Sequence, residues 1–208
     1  MQERAQQTRE RLLISAAEVF DEYGYAGASI AKIVERSAST SGAIYFHFGS
    51  KEKLAREVMD HQPETVMPFV GSRGVQRVVD VCLVWARQLQ SDPVLRAGVR
   101  LAVEQSAFGG RDAASFLSWV EIIRQSLQDA AEAGELLDGV VPEDVAEYVV
   151  GASTGVQILS DLVSGRRDLP ERVARMWRYL LPVVVRAELL PAIRLDIESP
   201  RPEGPGGV

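Results

Sequence analysis

Residues 29–54 constrain the fold more than any other stretch, because their pattern predicts two short helices joined by a tight polar turn. Ser29 is a residue type that caps helices, and the apolar positions within 30–34 recur at helical spacing. At 37–40 the sequence Ser-Ala-Ser-Thr ends that apolar pattern with residues that favour turns and new helix caps. We therefore expect one helix to end and a second to begin within this short turn.

The second helix is expected to run from Thr40 to about His47, which gives it only two turns. Ile44 and Phe48, one helical turn apart, are directed inward. The opposite face and the first turn carry small polar residues and one phenol: Ser39, Thr40, Ser41, Gly42 and Tyr45. A short helix with small polar residues at its exposed start fits the major groove of DNA. The segment is therefore interpreted as a helix-turn-helix motif that binds double-stranded DNA.

The same region resembles the DNA-binding domain of the TetR family of bacterial repressors. Residues 8–14, 16–20 and 24–25 are similar to the first helix of that domain and to its stop. Residues 42–54 are similar to its recognition helix and to the start of the helix that follows. The resemblance implies a homodimer that binds palindromic operator DNA, because helix-turn-helix dimers read two half-sites.

The resemblance also indicates which residues contact DNA. It implies that Tyr45 touches the DNA backbone, whereas His47 is more often structural in this motif. Lys51 opens the following helix, where its ammonium group is placed to reach a phosphate. Family members commonly carry lysine at the position of Ser41, so this chain lacks one cation of the family pattern. The candidate DNA-binding residues are Ser29, Lys32, Ser39, Thr40, Ser41, Gly42, Tyr45, His47 and Lys51.

Helical periodicity continues through the rest of the chain, with no convincing run of alternating strand residues. Pro and Gly residues within 63–74 predict a hinge, and the Pro- and Gly-rich residues 199–208 predict a disordered tail. We expect an all-α chain with a helix-turn-helix domain at 1–62 and a helical bundle for ligand binding and dimerisation at 63–198. Helices of the bundle are predicted near 75–91, 93–106, 112–133, 142–164 and 169–187.

The last two of these helices are apolar on more than one face. A helix with that pattern is buried on more than one side. One side is expected to pack on its own bundle and the other on a second subunit, which gives a four-helix dimer interface. The alternative is that both are central helices of a monomer. Pro182 and Pro191 are expected to kink or end the last helix of the bundle, predicted near 169–187.

Residues 93–102, 116–119 and 134–137 carry a narrower resemblance, to the γ-butyrolactone autoregulator receptors within the TetR family. That resemblance implies a small lactone, butenolide or furan hormone as the ligand. A tryptophan lines the hormone pocket of these receptors, and Trp119 lies at the corresponding place. Such a ligand needs apolar walls and a few polar groups. The candidate ligand-binding residues are Gln62, Trp85, Val99, Phe116, Trp119, Thr154 and Gln157.

The charge and the residue types of the chain argue against several classes of function. A formal net charge of −6 argues against a protein that coats nucleic acid by bulk charge. Cys82 is the only cysteine, so an inert buried thiol is expected rather than a disulfide or a Cys-based metal site. His47 and His61 have no metal-ligand spacing with carboxylates, and no nucleophile or nucleotide-binding motif occurs. We expect no catalytic residue, no metal and no cofactor.

The expected location is the cytoplasm, and no membrane partner is expected. The sequence has no signal peptide and no apolar run of the length, about 18 residues or more, that a membrane helix requires.

The predicted function is a DNA-binding transcriptional repressor, not an enzyme, which a hormone-like ligand releases from its operator. By resemblance, the genes it controls are those of secondary metabolism. Two alternatives stay open. In one, the ligand is an antibiotic or an antibiotic precursor. In the other, the protein is a DNA-binding dimer with no small ligand, and exposure of the DNA complex to candidate ligands distinguishes this case.

Overall fold

The computed structural model describes residues 2–105 and 112–195, with side chains described from residue 5 onward. Within these ranges all regular structure is helical apart from one isolated bridge between Leu136 and Val185, so the all-α prediction is confirmed. The α-helices in chain order are α1 Gln2–Gly27, α2 Ile30–Ser37, α3 Ser41–Phe48, α4 Lys51–Asp60, α5 Gln62–Val66, α6 Gly74–Ser91, α7 Pro93–Val103, α8 Ala114–Glu132, α9 Pro142–Ser164 and α10 Leu169–Val184.

The segment 63–74, predicted as a hinge, is partly helical in the structure. It includes most of α5 and a turn of 3₁₀ helix, Met67–Phe69, before α6 begins. Gln62, the last residue of the predicted helix-turn-helix domain, is the first residue of α5. The predicted tail at 199–208 lies outside the described residues.

Proline shapes the end of the last helix, as expected. α10 ends at Val184, two residues after Pro182, because proline removes a backbone donor and its ring crowds the preceding turn. Pro191 lies in a 3₁₀ segment, Ala187–Ala192, that follows α10. No described helix combines the length and the apolar character that a membrane span needs.

The chain forms two compact units. The N-terminal unit comprises Met1–Thr65 and Ser91–Ser115, and the C-terminal unit comprises Val66–Gln90 and Phe116–Val208. The N-terminal unit therefore contains α7 in addition to α1–α5. The sequence divided the chain once, after residue 62, whereas α7 packs against α1 and α4. The chain passes between the two units three times.

A break near the end of α1 explains why α7 belongs to the N-terminal unit. Gly24 has a positive φ of 67°, which interrupts the helical hydrogen bonding at the predicted stop. Side chains of α7 satisfy groups on both sides of this break. Arg100 donates to the Asp21 carbonyl oxygen at 2.6 Å, and Glu104, just beyond α7, accepts from the Tyr25 amide at 3.0 Å.

Two ion pairs complete this contact. Arg96 Nε lies 2.8 Å from the Asp21 carboxylate, and Arg100 Nε lies 2.8 Å from Glu104. Burial raises the pKa of the Glu104 carboxyl, but the hydrogen bonds from Arg100 and the Tyr25 amide outweigh that effect and leave the pKa lowered. We call Asp21, Arg96, Arg100 and Glu104 the α1–α7 contact.

α7 approaches α4 closely at Gly98. A Cβ atom at this position would lie 2.6 Å from Gln62 Cγ and 3.0 Å from the Val58 carbonyl oxygen. The Gln62 side chain is buried and donates to the Met59 carbonyl oxygen at 2.9 Å, which fixes it against α7. Only glycine fits at this crossing of the two helices without displacing one of them.

The C-terminal unit contains α6 and α8–α10. α6 is buried around most of its circumference, and α9 packs against α10. Asp168, just before α10, joins these last two helices. It accepts hydrogen bonds from the Ser160 and Ser164 hydroxyls, both at 2.6 Å, and from Arg172 at 2.7 Å. The hydroxyls of Ser160 and Ser164, and then Arg172, hold the pKa of the Asp168 carboxyl well below its usual range.

We predict that Gly98→Ala destabilises the protein. Alanine normally stabilises a helix relative to glycine, but here the overpacking should lower the free energy of unfolding by about 1–3 kcal/mol. Urea unfolding at one fixed protein concentration measures the change. Gly42→Ala is the matched control, because a Cβ there meets nothing closer than Thr40 Oγ1 at 3.8 Å. A Gly98→Ala protein as stable as the control would contradict the close α4–α7 packing.

The second prediction concerns pH. Because the folded-state pKa of Asp168 is lowered, its contribution to stability is fully present above the unfolded pKa of about 3.9 and is lost progressively as the pH falls from there through the lowered folded-state pKa. Asp168→Asn should therefore lower the urea midpoint at pH 6, and the difference from the parent protein should shrink at pH 3. An equal difference at both pH values would show that Asp168 acts through packing and not through its charge.

Candidate DNA-binding surface and ligand site

Side-chain caps fix the start of each helix of the helix-turn-helix. Ser29 Oγ accepts from the Lys32 amide at 3.2 Å and caps α2, as predicted. Thr40 Oγ1 accepts from the Ala43 amide at 3.2 Å and caps α3. Between them Ala38 has the left-handed conformation, with φ of 48°, that turns the chain. The motif is therefore present with the expected turn.

α3 has one buried side and one side that faces solvent. Ile44 and Phe48 are buried, as predicted, whereas Tyr45 is 52% exposed. Phe46 is 84% exposed, and its ring meets that of His47 edge-on at 5.1 Å between centroids. The sequence reasoning missed Phe46, although its position outside the Ile44–Phe48 spacing indicates an outward side chain. A large apolar ring on this surface is suited to contact thymine methyl groups or sugars.

The first turn of α3 is open to a large partner. Thr40, Ser41 and Gly42 are exposed, and Ser39 is half-buried in the turn before them. These side chains are short, so a DNA groove can approach the backbone amides at the helix start. This is the surface expected for the N-terminal end of a recognition helix.

The two candidate lysines have contacts inside the N-terminal unit. Lys32 Nζ donates to the Gly27 carbonyl oxygen at 2.8 Å and lies 3.9 Å from the Tyr23 ring centroid. Lys51 Nζ donates to the Tyr25 carbonyl oxygen at 2.5 Å, and burial lowers the pKa of its ammonium group. Both lysines thus bond to the last turn of α1, after the break at Gly24. Lys53, in the first turn of α4, is the exposed lysine of this region.

The candidate ligand-binding residues are divided between the two units. Gln62 and Val99 are buried in the N-terminal unit. The other five lie in the C-terminal unit. Trp85 on α6 and Gln157 on α9 are buried, whereas Phe116, Trp119 and Thr154 are half-buried. Thr154 Oγ1 donates to the Val150 carbonyl oxygen at 2.8 Å, within its own helix.

An open groove of about 1000 Å³ lies elsewhere in the C-terminal unit, between the start of α6 and α8. Its walls carry charged side chains, including Arg73, Arg77, Glu121 and Glu132, and none of the candidate ligand-binding residues lines it. An alkyl lactone needs mostly apolar walls. The groove therefore does not match the predicted ligand, and the aromatic residues of α6 and α8 remain the candidate site.

Comparisons with known proteins agree with this architecture. The family of bacterial regulatory proteins named after TetR matches residues 12–58, and a tetracyclin repressor-like C-terminal domain matches residues 72–186. The A-factor receptor protein of Streptomyces griseus is 37% identical over 202 residues, which cover 95% of this chain and 72% of the receptor.

Two solved structures are similar over nearly their full length. Full-length TylP, a TetR regulator from Streptomyces fradiae, superposes with a TM-score of 0.87 and 42% identity, covering 94% of each chain. A γ-butyrolactone receptor described as ArpA-like superposes with a TM-score of 0.69 and 30% identity, covering 89% of this chain and 92% of the receptor. The chain therefore belongs to the TetR family of DNA-binding bacterial transcriptional regulators, which are not enzymes.

Proposed function

We propose that this protein is a homodimeric repressor that binds a palindromic operator and leaves it on binding a hormone-like lactone, butenolide or furan. The observation that carries the proposal is the similarity to the A-factor receptor, which extends over 95% of this chain. By name, this relative is a receptor for A-factor and the ArpA-like protein is a γ-butyrolactone receptor. Control of antibiotic production is the corresponding role for this chain.

The DNA-binding part of the proposal rests on the exposed face of α3. Tyr45 supplies a phenol for a phosphate, Phe46 supplies an apolar ring for a thymine methyl group, and Ser41 and Gly42 allow close approach. Ser29 and Thr40 contribute by capping α2 and α3 and by presenting hydroxyls at the same surface. Because Lys51 is held by Tyr25, we assign the phosphate contact at the start of α4 to Lys53.

The dimeric part rests on the apolar surface of α9 and α10. Leu162 is 82% exposed and Tyr179 is 77% exposed, in helices that each bury their other face. Gly151 and Gly155 have open space where a Cβ would lie, so this face of α9 admits a close neighbour. Exposed apolar side chains at helical spacing form a patch that a monomer rarely leaves in water. The patch comprises Tyr148, Ile158, Leu159, Leu162, Val163, Tyr179 and Val183.

The ligand acts by preferring the dimer that does not fit the operator. A ligand with equal affinity for both states shifts nothing. A hundredfold loss of DNA occupancy requires a differential affinity of about 2.7 kcal/mol. The chain runs from α6 into α7 and from α7 on to α8, so α7 is connected at both ends to the ligand-binding unit. We propose that α7 carries the movement to α1 and α4.

We predict that Tyr45→Ala and Phe46→Ala each weaken operator binding by about 1–3 kcal/mol, because each removes a side chain at the groove-reading face. Fluorescence anisotropy with a labelled operator duplex measures the change. Phe69→Ala is a matched control, since Phe69 is also an exposed aromatic residue but lies in the 3₁₀ helix Met67–Phe69, outside α3 and outside the apolar patch. Binding by both α3 variants at the parental affinity would show that α3 does not read the groove.

The dimer prediction is tested by light scattering. The parent protein should give about twice the chain mass of 22.8 kDa at low micromolar concentration. Leu162→Glu should shift the mass towards a monomer, because it places a charge in the proposed apolar interface. Leu117→Glu on α8 is the control for an exposed leucine outside the patch and should leave the mass unchanged. A monomeric parent protein that binds its palindrome at full affinity would refute the proposal.

The ligand prediction concerns Trp119. A synthetic acyl-hydroxymethyl-γ-butyrolactone should quench tryptophan fluorescence and release the operator. Trp119→Ala should keep operator binding and lose the response, because it removes the proposed aromatic wall of the site. Trp119→Phe keeps an aromatic wall and should respond at a higher lactone concentration. Release from the Trp119→Ala variant at the parental lactone concentration would place the ligand elsewhere.

A further inference from the structure

A buried polar cluster in the C-terminal unit is not explained by packing alone. It comprises Cys82 on α6, Ser153 and Gln157 on α9, and Trp177 on α10. None of these residues is more than 8% exposed, and Trp177 is fully buried. We call these four residues the buried polar cluster.

Three side-chain atoms of the cluster lack a hydrogen-bond partner within the described part of the chain: Ser153 Oγ, Gln157 Oε1 and Trp177 Nε1. A buried polar atom left without a partner destabilises the folded state, so three in one cluster require an explanation. An indole N–H only donates, and an amide oxygen only accepts. The cluster therefore offers one unsatisfied donor, one unsatisfied acceptor and a hydroxyl that can do either.

The four side chains are neighbours. Ser153 and Gln157 are one turn apart on the same face of α9, which packs against α10. Burial raises the pKa of the Cys82 thiol to about 12, and the nearby polar groups of Trp177 and Ser153 partly oppose that rise. The thiol thus lies between α9 and α10. A thiol is a weak hydrogen-bonding group and does not replace an oxygen partner.

Apolar side chains continue from the cluster along α6. Val78 and Trp85 lie one turn before and one turn after Cys82, and both are buried. Trp85 belongs to the candidate ligand-binding set. The polar cluster therefore adjoins an apolar surface of the kind that contacts an alkyl chain, which is the arrangement expected of a small-molecule site.

We propose that the buried polar cluster is the subsite for a hydroxyl group of the ligand, an inference that rests on the proposed function. The hydroxyl donates its hydrogen to Gln157 Oε1, and its oxygen accepts from Trp177 Nε1 or Ser153 Oγ. A hydroxyl suits the cluster because it donates and accepts at once and brings no charge into a buried site. The subsite therefore selects a hydroxylated lactone over its deoxy analogue.

The test compares two synthetic ligands and four proteins. The ligands are an acyl-hydroxymethyl-γ-butyrolactone and the matched acyl-methyl lactone, in which hydrogen replaces the hydroxyl. Operator release is titrated for the parent protein, for Gln157→Met, which keeps the side-chain length, and for Trp177→Phe. Gln128→Met on α8 is the control, because Gln128 bonds Glu132 on its own helix. Operator affinity measured without ligand shows that each variant is folded. Because the two lactones are compared on the same protein, a general loss of stability affects both titrations equally.

In the parent and the control, the hydroxylated lactone should release the operator at a concentration about tenfold lower than the deoxy analogue. That preference should largely disappear in Gln157→Met and in Trp177→Phe. If either variant fails to fold, the other still tests the subsite. A preference that survives in the folded variants, or a parent protein that responds equally to both lactones, would overturn the subsite and leave the proposed function standing. If neither lactone releases the operator from the parent protein, the proposed ligand class fails, and the subsite fails with it.

Discussion

The N-terminal unit depends on the way α7 packs against the broken end of α1. Gly24 ends the helical hydrogen bonding, and the groups that this break leaves are satisfied by Arg100 of α7 and by Glu104 just beyond it, both 79 residues later in the chain than their partners. The same helix packs on α4 through Gly98, which leaves no room for a larger residue. α1 and α4 support the helix-turn-helix directly. The orientation of the recognition helix is therefore fixed partly by a helix that the sequence assigns to the ligand-binding domain.

Local signals predicted most of the fold. The caps at Ser29 and Thr40 and the inward spacing of Ile44 and Phe48 follow from adjacent residues, and the structure confirms them. The resemblance of the N-terminal segments to the TetR DNA-binding domain indicated the family. The sequence did not predict that α7 joins the N-terminal unit, because the partners of Arg100 and Glu104 are far away along the chain. For the same reason it did not predict that the ammonium group of Lys51 donates to the carbonyl oxygen of Tyr25.

The ligand side of the molecule shows the same distinction. The resemblance indicated Trp119 as a candidate ligand contact, and the polarity of Gln157 in an otherwise apolar helix indicated Gln157. Both residues lie in the C-terminal unit. Ser153 and Trp177 gave no sequence signal, because a small hydroxyl and an aromatic ring are ordinary residues of a helical core. Only the packing of α9 against α10 shows that they are unsatisfied neighbours of Cys82. Polar recognition inside a bundle depends on the atoms left without partners after folding, which a linear pattern does not reveal.

In the proposed mechanism, ligand binding changes the separation of the two recognition helices in the dimer, and each N-terminal unit moves as one body. A spin label at Glu35→Cys, an exposed position on α2 outside the candidate DNA-binding residues, measures that separation by pulsed electron resonance. Cys82 does not interfere, because it is buried and the pKa of its thiol is raised to about 12. We predict that the distance between the two labels changes when the lactone is added and the operator is released. Release of the operator with an unchanged distance between the labels would contradict it.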